Sequence, residues 1–363
     1  MKSFVSLSHL CLLTEFLFSA FSTHKYVNST LKKSIQYSIS LGLAGLFLYW
    51  AFADQDLSQL WDSITNIQLQ WVAVITIITL GTLIIRAWRW QVLLKPFAPQ
   101  VRTVDATVAL AICYAANVFI PRSGEVLRTI SLKWTQKTAI SPVLATVVVE
   151  RIMDFFWLIV FIGLALIIQR ESINQAFPSL EIASILVLAL SITALITLLI
   201  LSVYRERAVR LIQPILESLF PTQLSARTLN LLNTFIQGLS SLQNPLAYLQ
   251  LIASSLLLNS GYVLIIYYTF IGMGLSTDYS LGFGAAVVIM AISSLGVVVP
   301  TPGGMGSYHI AFALPLQQIY SLPELEALTC ATLAHALATL TYLFLGGPAL
   351  FFQWWKYRGD SPS

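Results

Sequence analysis

The sequence predicts an all-α polytopic membrane protein, with about six transmembrane spans plus two re-entrant broken hairpins in an inverted repeat. Three observations predict it. Of 363 residues, 57% are hydrophobic and only 10% are charged, whereas a soluble domain carries about 25% charged residues. Apolar runs of membrane-spanning length recur along the whole chain: Ser34–Ala53, Trp71–Leu94, Pro142–Ile168, Ile182–Tyr204, Leu246–Gly272 and Leu328–Trp355. Lys and Arg are segregated between successive runs, as expected for loops that alternate sides.

The elements follow in order from that segregation. Residues 1–32 combine Lys2, a mixed apolar stretch interrupted by Glu15 and an isolated glycosylation sequon at Asn28, and read as a peripheral extension. Lys25, Lys32 and Lys33 place the start of the first span inside, and the loop Asp54–Gln70, with three Asp and no Lys or Arg, outside. The second span returns to Arg86, Arg89, Lys95 and Arg102. Val104–Ile120 is long enough to resemble another span, but Arg122, Arg128, Lys133 and Lys137 follow it. Basic residues on both flanks predict an element that enters from the cytoplasm, breaks at Pro121 and Gly124, and returns.

Pro142–Ile168 then crosses outward, and Ile182–Tyr204 returns to a loop with Arg205, Arg207, Arg210 and Arg227. Residues 205–245 read as one or two interfacial amphipathic helices. After Leu246–Gly272, the apolar stretch Leu281–Val299 breaks at Pro300-Thr-Pro-Gly-Gly and continues to Tyr320, flanked by Asp278, Glu324 and Glu326. A hairpin entering from outside fits this pattern, and Leu281–Val299 as a full span is the alternative. Leu328–Trp355 ends at Lys356 and Arg358, so both termini are expected to be cytoplasmic. The domain 33–356 thus divides into halves 33–170 and 181–356, followed by a tail 357–363. Each half runs span, span, broken hairpin, span, in opposite directions through the bilayer. That pattern points to a transporter with a site near the midplane.

Ionisable residues within apolar segments are costly and are functional candidates. Arg86, Arg89, Arg122, Glu125, Arg128, Glu150, Arg151 and Asp154 gather around the first break and the spans beside it. Glu150 and Asp154 share a helical face, and Arg151 can pair with either. One reading is a polar cavity whose arginines grip phosphate oxygens, with the helix starting near Gly124 adding its N-terminal amides. The other is a set of ion pairs pinning the hairpin to its neighbours, with Arg86 and Arg89 beside Trp88 and Trp90 as interfacial anchors. At the second break, Pro300, Pro302, Gly303, Gly304 and Gly306 allow close backbone approach, and His309 follows. His335 lies in the last span without an obvious partner.

No nucleophile–base arrangement, phosphate-cradling loop or metal-ligand spacing stands out. Arg151 beside Glu150 and Asp154 keeps both ionised, which disfavours general-acid chemistry. The sequence therefore implies no catalytic residue, metal or cofactor, and no basic patch suited to nucleic acid. Cys11, Cys113 and Cys330 are scattered in apolar surroundings and read as small core residues.

Asn117-Val-Phe-Ile-Pro-Arg-Ser-Gly-Glu-Val-Leu-Arg, Glu150-Arg-Ile-Met-Asp and Pro300-Thr-Pro-Gly-Gly-Met-Gly together resemble the lysylphosphatidylglycerol synthase transmembrane-region, or flippase-like domain, family. The resemblance covers roughly residues 33–356. It implies the lipid-moving half of enzymes that elsewhere carry a cytosolic aminoacyl transferase, and that transferase lies outside the sequence read here. Many relatives have an acidic residue where this chain has His309. The expected function is translocation of an anionic lipid, phospholipid or polyprenyl-phosphate-linked, across the cell (inner) membrane. The alternatives are a membrane-embedded lipid or glycosyl transferase and a non-catalytic partner of a lipid or glycolipid synthase.

Overall fold

The computed structural model describes residues 67–177 and 245–357 without a break, together with the helix Leu57–Thr65 and isolated positions within 38–52 and 182–229. The expected spans Ser34–Ala53 and Ile182–Tyr204, the interfacial helices of 205–245, the extension 1–32 and the tail beyond Tyr357 lie outside these stretches. Every described element is helical. In hydrocarbon no water is available to backbone N–H and C=O groups, so runs rich in Ile, Val and Thr form helices despite their modest intrinsic propensity.

The helices are α1 (Leu57–Thr65), α2 (Leu69–Leu94), α3 (Thr103–Phe119), α4 (Ser123–Gln136), α5 (Ile140–Ala176), α6 (Pro245–Gly272), α7 (Leu275–Asp278), α8 (Phe283–Val298), α9 (Ser307–Tyr320) and α10 (Glu324–Tyr357). Among the described residues four helices, α2, α5, α6 and α10, are long and apolar enough to cross a membrane. Together they make the chain a multi-pass membrane protein. Their bounds lie close to the predicted runs, and α5 kinks at Gln169, one residue after its predicted end. The stretch predicted as an outer loop, Asp54–Gln70, instead contains α1, whose apolar and polar residues alternate at helical spacing and which packs on α10.

Four shorter helices, of which α3 and α8 are apolar, pair into two hairpins. Helices α3 and α4 fold back on each other about Ile120–Arg122, and α8 and α9 about Val299–Gly306. None of the four reaches the roughly 20 residues that a hydrocarbon core requires. Glycine permits the tight return in both. A Cβ on Gly124 would stand 2.0 Å from the Cys113 carbonyl oxygen, and one on Gly296 would stand 2.5 Å from that of Ser307.

The long helices hold the hairpins from outside. Helix α2 packs along α6, where Gly261 admits Thr82 and Trp71 stacks on Tyr268 with ring centroids 5.8 Å apart. Helix α3 lies against α10, its buried Ala109, Ala111, Ala115 and Ala116 allowing close approach. Helix α8 lies in the same way against α5, and α9 packs on both α5 and α10. The two turns meet: the Pro302–Gly304 turn packs on α3, with Gly303 against the backbone of Val118.

Candidate functional site

Four guanidinium groups and three carboxylates converge where α2, α4 and α5 meet. Glu150 is the hub. It is fully buried, and its Oε1 accepts from Arg86 Nη1 at 2.8 Å and Arg89 Nη2 at 3.4 Å, while Oε2 accepts from Arg128 Nη1 at 2.8 Å. Asp154, one turn later, accepts from Arg86 Nη1 at 3.1 Å, from Arg89 Nη2, and from Arg151 Nη1 at 3.4 Å. Arg151 also pairs with Glu125 Oε1 at 3.5 Å, joining α4 to α5 a second time. Helix α6 contributes Tyr262, whose hydroxyl accepts from Arg86 Nη2, and Ser255, whose Oγ accepts from Arg89 Nη1; both distances are 3.2 Å.

Helical spacing explains this convergence. Arg86 and Arg89 lie three residues apart on α2, and Glu150 and Asp154 four apart on α5, so each pair shares a face. The acids stand ten and fourteen residues beyond Ile140, about 15 and 21 Å along the helix axis. So many buried charges survive because each is in contact with an opposite one.

The cluster has a sealed side and an open side. Arg89, Arg128 and Glu150 are inaccessible, and Arg86 is nearly so; Arg151, Asp154 and Glu125 keep 40%, 23% and 22% of their side chains exposed. On the sealed side Arg128 lies over the ring of Trp90, 4.6 Å from its centroid, and the Trp90 indole donates to Thr146 Oγ1 at 3.0 Å. Arg86 faces Tyr114 at 5.9 Å, and Tyr114 stacks on Tyr342 of α10. Several donors are left over: Arg128 Nε and Nη2, and the Nε atoms of Arg86, Arg89 and Arg151, are buried with no acceptor among the described residues.

Three expectations change. Arg86 and Arg89 are not interfacial anchors, because both are buried in ion pairs. Arg122 is absent from the cluster: it adopts a left-handed conformation at φ 62°, where it reverses the chain, and its side chain is exposed. At the N-terminus of α4 the first two amides are already taken within the hairpin. Asn117 Oδ1 accepts from the Gly124 N–H at 2.8 Å, and the Ser123 N–H donates to the Ile120 carbonyl. Asn117 therefore latches the hairpin.

At the other hairpin, Thr301 leads into the turn Pro302–Gly304, and Gly303, Gly304 and Gly306 all take positive φ. Pro300 precedes the turn, and Pro302 is buried within it. His309 is buried at the third position of α9, where its Nδ1 accepts from the Gly306 N–H at 3.4 Å. An acidic residue at that position of a helix commonly performs the same capping role, and here the imidazole supplies it. Contrary to the sequence reading, His335 has a partner: its Nε2 lies 2.8 Å from the Gly303 carbonyl. The His309 and His335 rings are 5.0 Å apart, with Tyr308 beside both.

Sequence reasoning missed Tyr262, Ser255 and Thr146, and read Trp90 as an interfacial anchor, whereas it is fully buried. Each is an ordinary residue of an apolar run whose role arises only from helix packing. For Tyr262 and Ser255 the sole signal is their spacing of seven residues, on one face of α6.

The three motifs that form the two hairpins and the charged helix stand inside one continuous match. Residues 37–346 match the family model described as the lysylphosphatidylglycerol synthase TM region. The chain belongs to this family. No curated protein and no solved structure gave a match. Both hairpins and the whole cluster fall within the matched residues, and membership relates the chain to membrane proteins of lipid modification or transport.

Proposed function

We propose that this protein moves an anionic lipid, a phospholipid or a polyprenyl-phosphate-linked lipid, between the leaflets of the cell membrane. The observation that carries the proposal is the Arg86–Arg89–Arg128–Arg151 cluster, with more guanidinium groups than carboxylates and one side open through Arg151. Guanidinium forks match phosphate oxygens, and a lipid phosphate sliding along the hairpin would find counter-charge there in place of water.

The packing supports a transporter. Helix α3 lies against α10 as α8 lies against α5, and α2 pairs with α6. Exchanging α2 with α6, α3 with α8, α4 with α9, and α5 with α10 carries the principal contacts onto one another, in keeping with two inverted repeats. Two short hairpins meeting at their tips fit re-entrant elements that enter from opposite faces, with both termini cytoplasmic. In this reading no side chain performs covalent chemistry, and a separate lipid or glycolipid synthase supplies or consumes the lipid.

Leaflet exchange in reconstituted vesicles tests the proposal. Fluorescent anionic phospholipids and a sugar linked to a polyprenyl chain through a phosphodiester should exchange faster with protein than without it. Arg151→Ala should slow exchange at least tenfold, while Arg102→Ala, at an exposed pair with Asp105, should leave it unchanged. Chemical conversion of the lipid by the purified protein, with no exchange, would reassign it as a transferase.

A further inference from the structure

The cluster's charge count specifies more than an anion. Arg86, Arg89, Arg128 and Arg151 carry four positive charges, and Glu125, Glu150 and Asp154 carry three negative ones. Every carboxylate is in contact with a guanidinium, and no other charged side chain joins the network among the described residues. One positive charge remains. Uncompensated charge away from water is costly, and each added or missing charge costs again. The leftover donors agree with the count: among the described residues the Nε of Arg151, on the open side, has no acceptor, nor have the Nε and Nη2 of the fully buried Arg128.

We infer that the site selects a phosphodiester head group bearing a single negative charge, and discriminates against phosphomonoesters and diphosphates, with Glu125 setting that preference. This rests on the lipid-binding reading above and narrows it. A monoanion brings the cluster to neutrality, whereas a dianion leaves it negative. Glu125 is the residue that sets the sum without holding the fold. Among the described residues its carboxylate has one partner, Arg151, on the open side; its Oε2 accepts from no group there, and it takes no part in the Glu150 hub. Removing its charge should raise the net value by one, to that of a site suited to a dianion.

The test measures binding separately from transport. The full-length protein in zwitterionic nanodiscs is titrated with short-chain phosphatidylglycerol and short-chain phosphatidic acid at pH 8.5, where the monoester is dianionic. Tryptophan fluorescence, to which Trp90 beside Arg128 contributes, reports occupancy. Wild type should bind the diester at least about tenfold more tightly than the monoester. Glu125→Gln should erase or reverse that preference, and Glu125→Asp, which keeps the charge, should retain it.

Equal or tighter binding of the monoester by wild type, or a preference unmoved by Glu125→Gln in folded protein, overturns the inference. Binding of neither lipid overturns it too. Inorganic phosphate or glycerol phosphate binding as tightly as the lipids would show that the anion comes from solution, which also overturns it. If the diester preference holds but the same protein catalyses no leaflet exchange, the translocation reading fails and the selectivity stands.

Discussion

Arg128 and Trp90 sit face to face, guanidinium over indole at 4.6 Å, in a position closed to solvent on every side. The ring covers one face of the cation while Glu150 binds its edge through a single nitrogen. The stack fixes where the remaining donors lie, and it couples hairpin helix α4 to α2.

Trp90→Ala should therefore destabilise the protein by about 3–5 kcal/mol, the usual cost of emptying a large packed site. Trp90→Phe, which keeps a ring but loses the Thr146 bond, should cost about 1–2 kcal/mol. Unfolding of the reconstituted protein by denaturing detergent measures both. Equal losses in the two variants would show that the indole–guanidinium stack contributes nothing.

Glu150→Gln leaves Arg86, Arg89 and Arg128 sharing an uncharged amide inside the helix bundle. Loss of one member of a buried ionic network costs about 3–5 kcal/mol. The same substitution at Glu125, on the open side, should cost less than about 1 kcal/mol. Detergent unfolding curves that rank Glu125→Gln as the more damaging would contradict the assignment of Glu150 as hub.

Gly124→Ala has no room, because its Cβ would collide with a backbone carbonyl that cannot rotate away. The hairpin must open, at a cost of about 1–3 kcal/mol or more. Gly163→Ala, on α5 with nothing within 4 Å, should be neutral or stabilising by roughly 0.5–1 kcal/mol. Thermal unfolding in detergent separates the two, and similar midpoints would mean that α3 and α4 are not packed this closely.

His335→Ala removes the side chain held against the Gly303 carbonyl. The turn at 302–304 should loosen, and a cysteine introduced by Thr301→Cys, at a position only 4% exposed, should react with maleimide several-fold faster in that background. An unchanged rate would mean that the contact between His335 and the Gly303 carbonyl does not hold the turn.

The long helices and both breaks were legible because lipid enforces a simple grammar. An apolar run must be helical, and Pro with Gly inside one must interrupt it. Leu246–Gly272 was read with its final residue correct, and the breaks at Pro121–Gly124 and Pro300–Gly304 fall where the chain reverses. The membership of the cluster was less legible. Arg122 adjoins the break in sequence, but at φ 62° the backbone carries it away from Arg128, six residues further along. Tyr262 and Ser255 were invisible because nothing in an apolar run marks which face will meet an arginine from a helix about 170 residues earlier. The acceptor of His335 is a backbone carbonyl, which leaves no trace in residue identity.

The contact between Gly303 and Val118 joins the reversal points of the two hairpins. Two pistons whose heads touch cannot both be pushed fully inward: advance of one requires retreat of the other. In a lipid transporter built on this plan, that steric exclusion would prevent both leaflets from having access at once. The leak-proofing would then reside in a glycine and a valine.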